Sequence, residues 1–180
     1  AAMKEVGGTL FHVSTDYVFG SEGNTPRTED MPLNPLGVYG KTKLHGEQAI
    51  AKVGCKSLIF RTAWLYSEFG NNFLKTMLRL TAEKENLNVV FDQVGTPTYA
   101  GDLAAAITYI INSEQLDKLG TYHYSNEDAC SWYDFACEIV RLGGVEATVS
   151  PCTTAEYPTP AKRPAWSALE NMALAATVGN

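Results

Sequence analysis

A strand–helix–strand pattern in the first third of the chain constrains its fold more than any other feature. Residues 9–15 and 56–62 read as buried strands, and residues 35–53 between them read as a helix that stops near Gly54. Pro35 suits the first turn of that helix, because its missing N–H would have no partner there. Two strands joined through a helix run parallel in one sheet, so the pattern predicts an α/β fold.

The rest of the chain alternates further helices and strands. Residues 1–8 read as the end of a helix, and the region beyond residue 151 reads as loop-rich because prolines recur there. Asp102 and Ser131 are predicted helix N-caps. The other predicted elements are a helix at 71–85, a strand at 87–91, a rigid loop at 93–98, a helix at 102–112, a strand at 120–125 and a helix at 132–142.

The composition is that of an ordinary folded domain. The 180 residues are 45% hydrophobic and carry a formal net charge of −6, which argues against nucleic acid or an anionic membrane as the partner. No apolar run has the length of a membrane span and the first residues do not read as a signal peptide, so we predict a cytoplasmic protein. The four cysteines form no C-x-x-C pair, and the three histidines lack metal-ligand spacing, so we expect reduced thiols and no zinc site.

Thr15, Tyr39 and Lys43 form a candidate proton-transfer set. The turn Ser14-Thr15-Asp16 presents a hydroxyl at the carboxyl end of the first strand, where open α/β sheets bind ligands. Tyr39 and Lys43 lie four residues apart on the predicted helix and share one face. An ammonium favours the ionised form of a neighbouring phenol, which eases proton exchange near neutral pH. The set is typical of a carbonyl reductase, although the Tyr/Lys spacing alone would equally describe a solvated helix face.

Several motifs spread over nearly the whole chain carry a family resemblance. They are Ser14-Thr15-Asp16-Tyr17-Val18-Phe19, Tyr39-Gly40-Lys41-Thr42-Lys43, Phe60-Arg61-Thr62-Ala63-Trp64-Leu65-Tyr66, Gly70-Asn71-Asn72-Phe73, Asp92-Gln93-Val94-Gly95-Thr96-Pro97-Thr98 and Tyr157-Pro158-Thr159-Pro160-Ala161 with Arg163-Pro164. In this order they resemble the dTDP-4-dehydrorhamnose reductase family of extended short-chain dehydrogenases. The resemblance implies the carboxyl-terminal part of a Rossmann-type doubly wound parallel sheet, plus a smaller α/β substrate-binding region. Residues 1–66 would belong to the first and 67–180 mainly to the second, with the strand at 120–125 returning to the sheet.

The resemblance also implies a reaction, in which NADPH or NADH reduces the 4-keto group of dTDP-4-dehydro-L-rhamnose to give dTDP-L-rhamnose. Tyr39 would donate the proton, and Lys43 would tune Tyr39 while both contact the cofactor at its nicotinamide ribose. Thr15 would hydrogen-bond the substrate oxygen and stabilise charge as the hydride arrives.

Four further residues are implied substrate contacts. Asp16 and Trp64 match positions that contact the sugar nucleotide, Arg163 could meet a substrate phosphate, and Asn72 could line the pocket. Each has a structural alternative, since Asp16 could cap the turn, Trp64 could be a core aromatic, and loop residues such as Arg163 and Asn72 often only face solvent.

Two departures from the family pattern limit what this chain is expected to hold. Some members bind magnesium at a dimer contact through an acidic residue after a Pro-Thr-x-Ala run, but Gly101 follows that run here, so a magnesium site is doubtful. No glycine-rich strand-to-helix turn for a dinucleotide pyrophosphate is found. The chain is therefore expected to be the carboxyl-terminal part of a reductase and inactive alone, with a dTDP-sugar and a second copy in a homodimer as partners.

Two other functions stay open at this point. Some relatives are regulatory subunits that bind a partner enzyme and reduce no sugar, but the Thr/Tyr/Lys set would then have no use. A related nucleotide-sugar epimerase or dehydratase is the second alternative. Dehydratases usually place an acidic pair after the hydroxyl residue, whereas here Tyr17 follows Asp16.

Overall fold

The computed structural model describes residues 1–179. Its strands are β1 (Thr9–Thr15), β2 (Lys56–Thr62), β3 (Leu65–Tyr66), β4 (Asn86–Val90), β5 (Val94–Gly95), β6 (Thr98–Tyr99), β7 (Gly120–His123), β8 (Cys130–Ser131) and β9 (Thr148–Cys152). Its helices are α1 (Ala2–Glu5), α2 (Val38–Val53), α3 (Phe73–Glu83), α4 (Ala100–Asn112), α5 (Trp132–Gly143) and α6 (Met172–Val178), and a 3-10 turn (Asp16–Val18) follows β1 directly.

A three-stranded parallel sheet in the order β1-β2-β7 forms the frame of the molecule. Thr15 lies opposite Thr62, and Arg61 lies opposite His123. The α/β class and the parallel strand–helix–strand unit predicted from the sequence are confirmed, and both strand ranges are correct to the residue. Because the strands are parallel, their carboxyl ends meet at one edge of the sheet.

Helices cover both faces of this sheet. On one face, Leu58 and Phe60 of β2 are fully buried against α4 and α6, in a cluster with Leu103, Ile110 and Leu174. The opposite face is covered by α2, which packs on β1 and on the 3-10 turn. Successive residues of a strand point to opposite faces of the sheet, so each strand contributes side chains to the packing on both faces.

A smaller layer is built from α3, α5 and the parallel pair β4–β9. The Ser131 hydroxyl accepts a hydrogen bond from the Asp134 backbone N–H, and the Asp134 carboxylate accepts one from the Ser131 N–H. This reciprocal cap confirms the predicted start of α5, and Gly144 ends the helix in the left-handed conformation. The apolar face of α5 packs on α3 and on β4.

Three predicted helix starts are wrong, and in one of them α3 begins at Phe73 rather than at residue 71. α2 begins at Val38 rather than at Pro35, because the backbone of Gly37 is still extended, with φ −116° and ψ 170°. α4 begins at Ala100, so Asp102 lies inside its first turn and does not cap it. The Asp102 carboxylate instead accepts a hydrogen bond from the Asn126 side chain at 2.7 Å.

The region beyond residue 151 is more regular than predicted. β9 pairs with β4, and Pro151 is tolerated because β9 is an edge strand. α6 was not predicted either, and it packs Leu174 against the main sheet. The strand expected at 120–125 ends at His123, since the Ser125 N–H donates to the Asn171 side chain instead of to a neighbouring strand.

Candidate active site

The amino end of α2 docks against the turn that follows β1. Gly40 allows this approach, because a Cβ there would overlap the carbonyl oxygen of Tyr17. The ring of Tyr39 stands edge-on to that of Tyr17, with 6.1 Å between ring centroids. One helical turn further on, the Lys43 ammonium donates to the carbonyl oxygen of Val13 at 2.6 Å. The helix thereby brings Tyr39 and Lys43 to the carboxyl end of β1.

Tyr39 and Lys43 keep hydrogen-bonding capacity for a ligand. Tyr39 is 57% exposed, and within residues 1–179 no hydrogen bond engages its hydroxyl. Lys43 is half-buried, and an ammonium has three N–H donors, so two remain after the bond to Val13.

Thr15 and Asp16 at the end of β1 are both buried. The Thr15 hydroxyl donates to Asp16 Oδ1 at 2.8 Å and accepts from the Tyr17 backbone N–H at 3.2 Å, which caps the 3-10 turn. Asp16 Oδ2 has no hydrogen-bond partner among the described residues. Burial raises the pKa of Asp16 to about 7, and the hydroxyls of Thr15 and Ser167 lower that pKa only in part.

A cavity of about 660 Å³ opens between the start of α2 and the loop at 160–164. Tyr39 and Arg163 both line this cavity, together with the exposed cations Lys41 and Lys162. Three cations around one opening favour an anionic ligand such as a diphosphate.

A larger cavity of about 800 Å³ lies between α4, α6 and the end of β7. None of the predicted site residues lines it, whereas Tyr39 and Arg163 line the smaller cavity. Chemistry rather than volume therefore marks the smaller cavity as the candidate binding site. Thr15, Asp16 and Lys43 are outside its lining and are joined to it through the contacts of Tyr17 and α2.

Trp64, just beyond β2, has a backbone conformation that bulky residues rarely adopt, with φ +48°. Its indole stacks on Trp132, with 3.5 Å between ring centroids and 8° between ring planes. The ring packs so closely on Gly95 that a Cβ there would clash with it, and Ser167 approaches the same position. Ser167 also lies near Asp16, so it links Trp64 to the end of β1. Trp64 is half-buried.

The side chain of Asn72 is occupied by local hydrogen bonds. Its Oδ1 accepts from the Lys75 N–H at 3.1 Å and caps α3. Its Nδ2 donates to the carbonyl oxygens of Ser67 at 2.7 Å and Phe69 at 3.3 Å. Helix capping accounts for this residue, and the structure does not bring its amide to the end of β1.

A buried ion pair beside the site lies outside the sequence-based prediction. Glu47 follows Lys43 by four residues on α2 and accepts two hydrogen bonds from Arg61 of β2, at 2.7 and 3.1 Å. Ser14 donates a further hydrogen bond to Glu47. Glu47 thus ties α2 to both strands near their carboxyl ends. The spacing of four residues between Lys43 and Glu47 indicated that Glu47 lies on the same helix face as Lys43. Nothing in the sequence indicated that Glu47 pairs with Arg61.

The part of the chain that the structure describes shows neither a metal-binding cluster nor a membrane-spanning helix. Within residues 1–179, no group of three or more His, Cys, Asp or Glu side chains could hold a metal ion. Over the same range, no helix is both long enough and apolar enough to cross a bilayer. The four cysteines are free thiols, and burial raises the pKa of Cys130 to about 11, which keeps that thiol protonated.

Comparison with known proteins gives consistent matches. The dTDP-4-dehydrorhamnose reductase of Escherichia coli (strain K12) is 44% identical over 171 residues, which cover 91% of this chain and 57% of that protein. The structure of a dTDP-4-dehydrorhamnose reductase from Clostridium acetobutylicum superposes with a TM-score of 0.93 at 49% identity, covering 99% of this chain and 62% of that one. The structure of a dTDP-4-dehydrorhamnose reductase from Bacillus anthracis in complex with NADP superposes with a TM-score of 0.89 at 40% identity. The match covers 94% of this chain and 59% of that one.

The chain spans about three fifths of the length of these relatives. A family model described as the RmlD substrate binding domain matches residues 1–180. The resemblance predicted from the sequence motifs is confirmed by these matches. The chain belongs to the RmlD substrate binding domain family.

Proposed function

We propose that the protein containing this chain reduces the 4-keto group of dTDP-4-dehydro-L-rhamnose to give dTDP-L-rhamnose, with NADPH or NADH as the reductant. The observation that carries the proposal is the convergence of Thr15, Tyr39 and Lys43 on the carboxyl end of β1. The names of the three relatives support the reaction, and the NADP complex of one supports the cofactor.

Each of the three side chains has a defined task in this reaction. When bound, the nicotinamide supplies a hydride to the carbonyl carbon. Tyr39 gives its phenolic proton to the carbonyl oxygen, and its exposed hydroxyl suits that role. Lys43 is held by Val13, stabilises the phenolate left on Tyr39, and has N–H groups free for ribose hydroxyls. Thr15 donates a hydrogen bond to the same carbonyl oxygen.

The residues present fit the nicotinamide end of the cofactor. Tyr39 and Lys43 supply the O–H and N–H groups that a ribose can bond. β1 passes into its 3-10 turn without a glycine, and no G-x-G-x-x-G spacing occurs in residues 1–179. Within that range the chain therefore offers no backbone cradle for the pyrophosphate.

For the sugar nucleotide, we assign the diphosphate to the cavity cations and place Arg163 first among them. We also propose that Trp64, which is half-buried, and the unpartnered Oδ2 of Asp16 contact the sugar nucleotide. The hydrogen bonds of Asn72 favour capping over the predicted substrate contact.

We also propose that residues 1–66 belong to the nucleotide-binding domain and 67–180 mainly to the substrate-binding region. The pairing of β7 with β2 makes β7 part of the first sheet in this division. The cytoplasmic location, the homodimer and the doubt about magnesium stay predictions.

The test uses the full-length protein with the ketosugar and either cofactor, following the absorbance of the reduced nicotinamide. Tyr39→Phe should lower turnover by roughly 10²–10⁴, the usual scale for a lost general acid. Tyr109→Phe is the matched control, because Tyr109 is also an exposed helical tyrosine and lies on α4, away from β1. Absence of substrate-dependent oxidation with both cofactors in the unmodified protein would contradict the proposed function.

A further inference from the structure

The proposed reaction sets a problem at Thr15. A hydroxyl has one proton and two lone pairs. One lone pair of Thr15 accepts from the Tyr17 N–H, and its proton is donated to Asp16 Oδ1 across 2.8 Å. With Asp16 ionised, Thr15 therefore has no proton for a substrate carbonyl.

Rotation of Thr15 toward the substrate does not solve the problem. Asp16 Oδ2 already lacks a partner, and rotation would also remove the partner of Oδ1. Asp16 is only 3% exposed, so a buried carboxylate would lose the hydroxyl that partners its Oδ1. That loss is costly for a charged group.

We propose, on the basis of the function proposed above, that Asp16 works as a neutral carboxylic acid. It donates its proton from Oδ1 to Thr15 Oγ1, and Thr15 then donates its own proton to the carbonyl oxygen of the bound sugar. In this arrangement the two lone pairs of the Thr15 hydroxyl accept from the Tyr17 N–H and from Asp16, and its one proton is donated to the substrate. No proton leaves Asp16 or Thr15 during the reaction, so Asp16 is a positioning residue and the proton that is consumed comes from Tyr39.

The surroundings of Asp16 support the neutral form. Burial raises the pKa of Asp16 to about 7. Asp16 interacts electrostatically with the phenol of Tyr17 on the 3-10 turn, and Tyr17 in turn interacts with Tyr39 on α2 and with Arg163 from the loop at 160–164. The neighbours that lower the pKa of Asp16 are hydroxyls and backbone N–H groups, and no cation is among them.

The first arm of the test is the pH profile of turnover in the full-length enzyme. Turnover of the unmodified enzyme should decline as pH rises through about 7, where Asp16 ionises. Asp16→Asn should lower turnover several-fold and remove that decline, because an amide N–H donates to Thr15 at every pH. Asp16→Leu should lower turnover roughly 10²-fold, because leucine has no N–H or O–H group that donates to Thr15. Asp117→Asn, at an exposed aspartate, should keep the original profile. An Asp16→Asn enzyme as poor as Asp16→Leu would overturn the proposal.

The second arm measures the ionisation of the Asp16 carboxyl group directly and does not depend on enzyme activity. Asp16 in the full-length protein is followed by ¹³C NMR of labelled aspartate, and its signal is assigned by its loss in Asp16→Asn or by its displacement in Thr15→Val. The signal should still titrate near pH 7. Ionisation near the ordinary aspartate value of about 4 would overturn the proposal. An inactive protein whose Asp16 titrates near pH 7 would contradict the proposed function and leave the neutral Asp16 standing.

Discussion

Asp16 leaves water on folding without gaining a donor for its second oxygen, and this makes it a source of pH-dependent stability. Its folded pKa of about 7 lies above the value of about 4 expected in the unfolded chain. The folded state therefore binds a proton that the unfolded state has released. The resulting stabilisation is complete below pH ~4 and is lost as pH rises through ~7.

Replacing Asp16 by Asn removes this titration. The free energy of unfolding of the unmodified full-length protein should fall by about 2–3 kcal/mol, relative to Asp16→Asn, between pH ~5 and pH ~8. Urea denaturation of both proteins at the two pH values measures the difference, with Asp117→Asn as the control. Parallel changes in the unmodified protein and Asp16→Asn would show that Asp16 titrates normally.

Lys43 has two assigned roles, so its loss should appear in two measurements. Lys43→Met should lower turnover at least tenfold, because the phenolate of Tyr39 loses the cation assigned to stabilise it, and should weaken NADPH binding, because the ribose loses a donor. Lys52→Met, at an exposed lysine near the end of α2, is the control. Unchanged cofactor affinity in titration calorimetry would remove the ribose contact but not the effect on Tyr39.

The positions of the candidate residues could be predicted where the local sequence sets them. Thr15 lies at the end of β1 and Tyr39 and Lys43 lie four residues apart on α2, as expected, while their roles in the reaction stay predictions. The surroundings of Asp16 could not be predicted, because the Ser167 hydroxyl reaches it from a distant part of the chain. The pairing of Glu47 with Arg61 could not be predicted either, because the two residues lie on different elements that only the folded structure brings together.

At the scale of elements, the position of α2 depends on how closely its first turn approaches Tyr17. Gly40 has no room for a side chain, because the obstacle is a backbone carbonyl that cannot move independently. Gly46, on the same helix, has only ordinary contacts, the nearest being the His12 ring at 3.6 Å. A glycine is therefore required sterically at position 40 but not at position 46.

Gly40→Ala should destabilise the full-length protein by about 1–3 kcal/mol and displace Tyr39, so turnover should fall as well. Gly46→Ala should be neutral or stabilising by up to about 1 kcal/mol, because alanine is the better helix former. Thermal unfolding and steady-state kinetics compare the two variants. Equal effects on stability would mean that the approach to Tyr17 does not control the docking of α2.

Elements with strong local signals were predicted well. β1 and β2 have apolar runs with clear ends, and their bounds are correct. The start of α2 was misplaced because Pro35 is compatible with a first helical turn, whereas the backbone is still extended at Gly37. α6 was missed because it is short and is stabilised by packing against the sheet rather than by its own sequence.

At the scale of the whole molecule, β1 is an edge strand. Within residues 1–179 it pairs only with β2, so the backbone groups on its other side have no strand partner. Val13 on this strand is 38% exposed. An open apolar edge tends to recruit another chain.

The 180-residue chain alone should therefore bind no NADPH at micromolar concentration and should self-associate. The first expectation follows from the absence of a pyrophosphate cradle in residues 1–179, and the second from the edge of β1. Titration calorimetry and light scattering measure the two properties, with the full-length protein as control. Saturable micromolar binding would contradict the first expectation, and a monodisperse monomer would contradict the second.

The stacked indoles of Trp64 and Trp132 give the molecule an optical property that no single tryptophan has. Two chromophores nearly parallel at 3.5 Å share their electronic excitation, so their circular dichroism and emission are those of a coupled pair. Trp64 belongs to the proposed substrate site, whereas Trp132 begins α5 in the smaller layer. Any ligand that tilts one ring against the other will change this signal, so the indole pair is an intrinsic reporter of ligand binding near Trp64 or Trp132.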